Sequence, residues 1–127
     1  MAHGYHNRIL HVDLLTQELT VDEPGDGFFR SYLGGWGIIG QTLLQRVPAN
    51  ADPLGPENVL VFAPGVVTGA PVGGSGRHAV GAKSPLTGAF GAAEAGGFWG
   101  AELKRAGWDA IVFTGKSEQP VYLAVID

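Results

Sequence analysis

The chain has 127 residues, no cysteine, 45% apolar and 16% charged side chains, and a formal net charge of −4. Length and composition suit one folded domain with a real core and exclude a disordered chain. The acidic balance gives no case for nucleic acid, and the missing cysteines exclude disulfides, thiolate metal sites and iron–sulfur ligands from these residues.

Residues 1–8 lack a basic start followed by an apolar run, so no secretory leader is predicted and a reducing, cytoplasmic setting is expected. His3 and His6 read as part of a mobile terminus. Leu10, Val12 and Leu14 then share one face, with His11 and Asp13 on the other. Leu19 and Val21 repeat the alternation after a polar connection at Thr16-Gln17, which predicts two antiparallel strands. Beyond Pro24-Gly25, Asp26 is placed to cap a helix carrying Phe28, Phe29, Tyr32 and Leu33. Gly34-Gly35-Trp36-Gly37 disturbs it before a second helical stretch at 38–46. A glycine inside a helix costs roughly 1 kcal/mol relative to alanine, so this is a kink or a close packing site.

Asp52-Pro53 and Gly55-Pro56 mark 50–58 as loop, and the apolar run at 59–63 reads as a buried strand. Residues 58–76 carry no charge, but Pro64, Pro71 and five glycines break them up, so they do not read as a membrane span. An extended segment is predicted at 77–82. Residues 96–106 have helical spacing, with Phe98, Leu103 and Ala106 facing inward and Gly107 at the C-cap. Strands are predicted at 110–114 and 121–126, separated by a polar turn at 115–119. The last would reach Asp127, an ending that suggests the chain continues or is covered there.

Residues 65–107 hold 12 of the 21 glycines. Glycine lets backbone come close to a ligand or another backbone. The net charge is +2 over 77–105 and −6 over the remainder. Arg77, with its planar fork beside Gly76, suits an anion such as a phosphate; Lys83 is equally suited to anion contact or to a structural role. Glu94 precedes Ala95-Gly96-Gly97 where a helix N-terminus is expected, either as a favourable charge there or as an aid in placing a cation or phosphate. Residues 76–84 resemble a nucleotide P-loop with one residue inserted. Ala82 stands where that loop needs glycine, and Pro85 turns Ser84 away from helix. A dinucleotide loop at 74–79 lacks its third glycine in register. The four histidines have no metal-ligand spacing. Trp36, Trp99 and Trp108 read as core or interface, and no catalytic constellation is placed within the chain.

Several segments resemble, in order, the N-terminal domain of the aldehyde:ferredoxin oxidoreductase family, tungsten enzymes with a bis-pyranopterin cofactor. They are Arg8-Ile9-Leu10-His11-Val12-Asp13-Leu14, Tyr32-Leu33-Gly34-Gly35 and Asp52-Pro53-Leu54-Gly55-Pro56-Glu57-Asn58. The densest likeness runs from Gly76-Arg77 to Lys83-Ser84-Pro85-Leu86-Thr87-Gly88, and again from Gly96 through Trp99, Lys104 and Trp108 to Ile111. The resemblance implies an α+β fold, with mixed or antiparallel sheets and a few helices, on which the pterin lies. It implies residues 1–127 as a single, incomplete cofactor-binding domain, from a split subunit, a truncated gene or a fragment.

It further implies cofactor contacts at Arg77, Glu94, Ala95, Gly96 and Gly97, with the Glu94 main-chain carbonyl on a magnesium ion between the pterin phosphates. Glu94 replaces an asparagine of a well-known member, and Trp36 stands where many relatives have arginine. The expected function is one part of a tungsten or molybdenum oxidoreductase that converts aldehydes to carboxylic acids. Its electrons would leave through a [4Fe-4S] cluster held outside this chain. Partners would be the remaining domains or subunits and ferredoxin or another electron-transfer subunit. The alternative is a non-catalytic remnant or assembly module without metal, in which the isolated chain binds a partner only.

Overall fold

The computed structural model describes residues 4–126; His3 and Asp127, which entered the readings of the two termini, lie outside the described residues. The strands are β1 (Ile9–Asp13), β2 (Leu19–Asp22), β3 (Leu60–Pro64), β4 (His78–Lys83), β5 (Phe90–Ala95) and β6 (Ala110–Thr114). The helices are α1 (Asp26–Tyr32), α2 (Trp36–Arg46) and α3 (Trp99–Arg105). One mixed six-stranded sheet has the order β2-β1-β6-β3-β4-β5, with β1 and β6 parallel and every other pair antiparallel. The fold is α+β.

Alternation along the strands divides the core in two. Ile9, Val61, Ala63, Ala79, Ala110 and Val112 pack with Phe29 of α1 and Ile38, Ile39 and Leu43 of α2 on one face. Leu10, Val12 and Ile111 pack with Leu103 of α3 on the other, flanked by Leu14, Trp108, Phe113 and Leu123. Gly81 lets α2 lie close to β4, because a Cβ there would press on the Ile39 side chain.

The glycine cluster separates two helices rather than kinking one. Leu33 and Gly35 take positive φ values of 63° and 49°, and a Cβ on Gly37 would run into the Tyr32 carbonyl. Gly34 and Gly35 also pack on the end of β3: the Gly35 N–H donates to the Pro64 carbonyl at 3.1 Å. Asp26 is the first residue of α1, not its cap; Gly25 holds the cap position without a side-chain hydrogen bond. The α3 terminus follows the pattern read from Gly107. At φ 89° its N–H reaches the Lys104 carbonyl and the Trp108 N–H reaches Leu103, a Schellman motif.

Three further segments differ from their sequence pattern. Residues 121–126 form no strand; they run across the second face of the sheet, where Leu123 joins the core edge. Phe98 is exposed, not inward. The His6 backbone is pinned, since its N–H donates to Asp109 at 2.9 Å. Among the described residues no helix is long and apolar enough to cross a membrane.

Candidate functional site

Arg77 immediately precedes β4, and Glu94 and Ala95 end β5 beside it. The start of β4, the end of β3 and the first residue of α2 meet at this corner, because Gly35 binds Pro64 and Pro64 pairs with His78. Glu94 lies in a strand, five residues before α3, and not at a helix N-terminus as its sequence context suggests. The reason is local: Phe90–Ala95 pairs along its whole length with β4 and extends the sheet.

Side chains converge on the Glu94 carboxylate. Trp36 Nε1 donates to Oε1 at 2.9 Å and Arg77 Nη1 donates to Oε2 at 3.5 Å. The Arg77 side chain remains 67% exposed, so most of its donors face solvent. Trp36 is half exposed and tilts against Phe90 with ring centroids 5.8 Å apart. Trp36 therefore belongs to the corner and not to the core, whereas Trp99 packs on Phe62 and His78, and Trp108 lies under the Arg8 guanidinium.

Backbone direction adds to the site. The Lys83 N–H and C=O both turn to the Asn58 side chain, at 3.1 and 3.0 Å, on the β3 side. Direction alternates along an antiparallel strand, so Ala79 and Gly81 also face β3. Glu94, opposite Ala79 on the edge strand, thus directs its own N–H and C=O to the open edge of the sheet. Ala95, opposite His78, turns its main-chain groups inward to the ladder, and its methyl group lies on the His78 face of the sheet, away from the Glu94 carboxylate. Gly96 and Gly97 follow in the open; a Cβ at either would meet nothing, and Gly97 has φ 98°. Gly76 lies close beneath, with its Cβ position 3.1 Å from the Gly97 carbonyl.

Lys83 does not join them. Its Nζ donates to the carbonyls of Ala49 and Ala51 at 2.7 and 2.8 Å, which makes its role structural. His78 sits on the opposite face of β4 against Trp99, and burial lowers its pKa below the usual 6.5. Burial and the Arg46 charge likewise lower His11, against a smaller opposing effect from Asp22. Among the described residues no group of three His, Asp or Glu side chains gathers as a metal site. A groove of about 670 Å³ lies elsewhere and is mainly apolar, between Leu14, Leu60, Phe62 and the 120–123 segment. The corner is a shallow, exposed surface with a guanidinium loosely paired to Glu94, a hydrogen-bonded indole and side-chain-free backbone. It suits a large anionic group laid on it, more than a small molecule enclosed in it.

The family pattern described as aldehyde ferredoxin oxidoreductase, N-terminal domain, matches residues 9–127. The chain belongs to that family. A tungsten-containing aldehyde ferredoxin oxidoreductase of Thermococcus kodakarensis is 46% identical over 98% of this chain, and one of Pyrococcus furiosus is 42% identical over the same share. The WOR-like subunit of an aliphatic sulfonate oxidoreductase of Pyrococcus furiosus is 30% identical over 97%. Among solved structures, the active-site complex BamBC of benzoyl coenzyme A reductase, with 1,5-dienoyl-CoA, aligns over 94% of this chain with a TM-score of 0.90 and 38% identity. As a family N-terminal domain, the chain spans only about a fifth of these relatives: 21%, 21%, 20% and, for the solved complex, 18%. It is thus similar to one domain of larger oxidoreductases.

Proposed function

We propose that this chain is the cofactor-holding N-terminal part of a tungsten- or molybdenum-pterin oxidoreductase, residues 1–127 forming a single cofactor-binding domain. What supports the reading most is the corner itself. Arg77, the outward edge of Glu94 and the open Gly96-Gly97 backbone gather in a chain whose family relatives are named as tungsten-containing. The residues fit the group. An exposed guanidinium matches phosphate, an outward carbonyl at Glu94 matches a hard cation such as magnesium, and two glycines without side chains leave room for a broad flat ligand.

In this reading Arg77 binds a pterin phosphate through two N–H groups. The Glu94 carbonyl would offer one oxygen to magnesium, Gly96 and Gly97 would keep the surface low enough for close approach, and Ala95 would join them through the short side chain that leads into that turn. When bound, the tungsten-pterin supplies two-electron oxidation of an aldehyde to a carboxylic acid, with electrons leaving through a [4Fe-4S] cluster. This cysteine-free chain does not ligate that cluster. The chain's own part is binding and orientation. Aldehyde is the substrate class in the names of the tungsten-containing relatives, while other relatives are named for aliphatic sulfonate and benzoyl coenzyme A. The remaining domains and a ferredoxin-type electron acceptor complete the proposal, in the cytoplasm.

Elemental analysis of the natively isolated protein, with whatever copurifies, tests this. Tungsten or molybdenum with iron in a larger complex is expected; a metal-free chain of this size would leave a non-catalytic assembly module.

A further inference from the structure

The Glu94 side chain is unexpected where it stands. A surface that is to receive an anion gains from positive charge, yet a carboxylate occupies its centre. Its two oxygens each take a side-chain donor: the Trp36 indole N–H at 2.9 Å and the Arg77 guanidinium at 3.5 Å. Both contacts are exposed, with side-chain accessibilities of 67% for Arg77 and 44% for Glu94, so neither serves as a buried structural tie. The geometry differs between the partners. The indole bond is short, whereas the guanidinium bond is at the outer limit and leaves the arginine's other donors free.

We infer that the Glu94 carboxylate is a built-in anion, occupying Arg77 until the phosphate of an incoming ligand displaces it. Trp36 keeps the displaced carboxylate: its N–H continues to hold Oε1 while Arg77 turns from Oε2 to the phosphate. The anion subsite is thereby self-neutralised when empty, and an anion must compete to enter. A singly charged carboxylate loses that competition to a phosphate with more charge and more acceptor oxygens. Weak or monovalent anions do not displace it, so Glu94 sets selectivity as well as affinity. This rests on the reading of Arg77 as a phosphate group's partner.

The test is the affinity of the whole protein, freed of bound cofactor, for inorganic pyrophosphate, measured by calorimetry on wild type, Glu94→Gln, Glu94→Ala and Arg77→Ala. Both Glu94 variants should bind about threefold to fivefold more tightly than wild type, the span an exposed ion pair accounts for. They should also gain measurable binding of sulfate or chloride. Arg77→Ala should bind at least about tenfold more weakly than wild type, the range of a lost charged hydrogen bond. Equal or weaker binding by both Glu94 variants, with Arg77→Ala still impaired, overturns the competing-anion role and leaves the phosphate site standing. Identical binding by wild type and Arg77→Ala removes the site and this inference together.

Discussion

Asp109 is 2% exposed and holds three donors on one carboxylate: Lys104 Nζ at 2.7 Å, the His6 N–H at 2.9 Å and the Arg8 N–H at 3.2 Å. It fastens the N-terminal segment to the start of β6, and Lys104 reaches it from α3. Removing one member leaves a buried charge unpaired, so Asp109→Ala should cost about 3–5 kcal/mol in chemical denaturation. The double variant Lys104→Met with Asp109→Leu should cost much less than the single one, since no orphan charge remains. Two histidines titrate in the opposite sense to a stabilising pair. His11 and His78 have folded pKa values below 6.5, so the unfolded chain takes up protons first as pH falls. Their contribution is complete above pH 6.5 and declines as pH drops below it. The thermal midpoint should therefore fall on acidification from pH 7 to about pH 5.5, and a His11→Gln, His78→Gln variant should flatten that slope.

Among the elements, glycine acts in opposite ways within a few residues. Gly37 admits no Cβ beside the Tyr32 carbonyl, and Gly37→Ala should destabilise by about 1–3 kcal/mol by forcing α1 and α2 apart. Gly40, one turn on in α2, would meet nothing, so Gly40→Ala should stabilise by up to about 1 kcal/mol. Denaturation midpoints of the two variants decide this. Local pattern made several elements legible. The alternation at Leu10, Val12 and Leu14 gives β1, the apolar run at 110–114 gives β6, and Gly107 marks the end of α3. It failed at β5, where Phe-Gly-Ala-Ala-Glu-Ala has neither alternation nor branched residues, and pairing with β4 alone makes the strand. The reverse failure is at 121–126, an apolar run with three β-branched residues that finds no hydrogen-bonding neighbour in the sheet.

At the scale of the molecule, the sheet brings three separated segments to one corner: Gly34-Gly35-Trp36, Gly76-Arg77 and Glu94 to Gly97. The glycine density and the local positive charge marked two of them in the sequence. Trp36 was not legible there, because its partner lies 58 positions away and only the close seat of Gly34-Gly35 on β3 brings them together. Lys83 was ambiguous for a related reason: a lysine among glycines looks like an anion ligand until two loop carbonyls claim it. The corner should hold a cofactor through Arg77 while the fold stands without its side chain, which is exposed; the tie to buried Thr68 runs through the main-chain carbonyl, which a substitution keeps. The decisive measurement is the tungsten or molybdenum and pterin content of the complete native protein beside its Arg77→Ala variant, with thermal midpoints of both. Cofactor content lowered severalfold at an unchanged fold is the predicted result. Equal content in the two proteins would contradict it and remove Arg77 from the site.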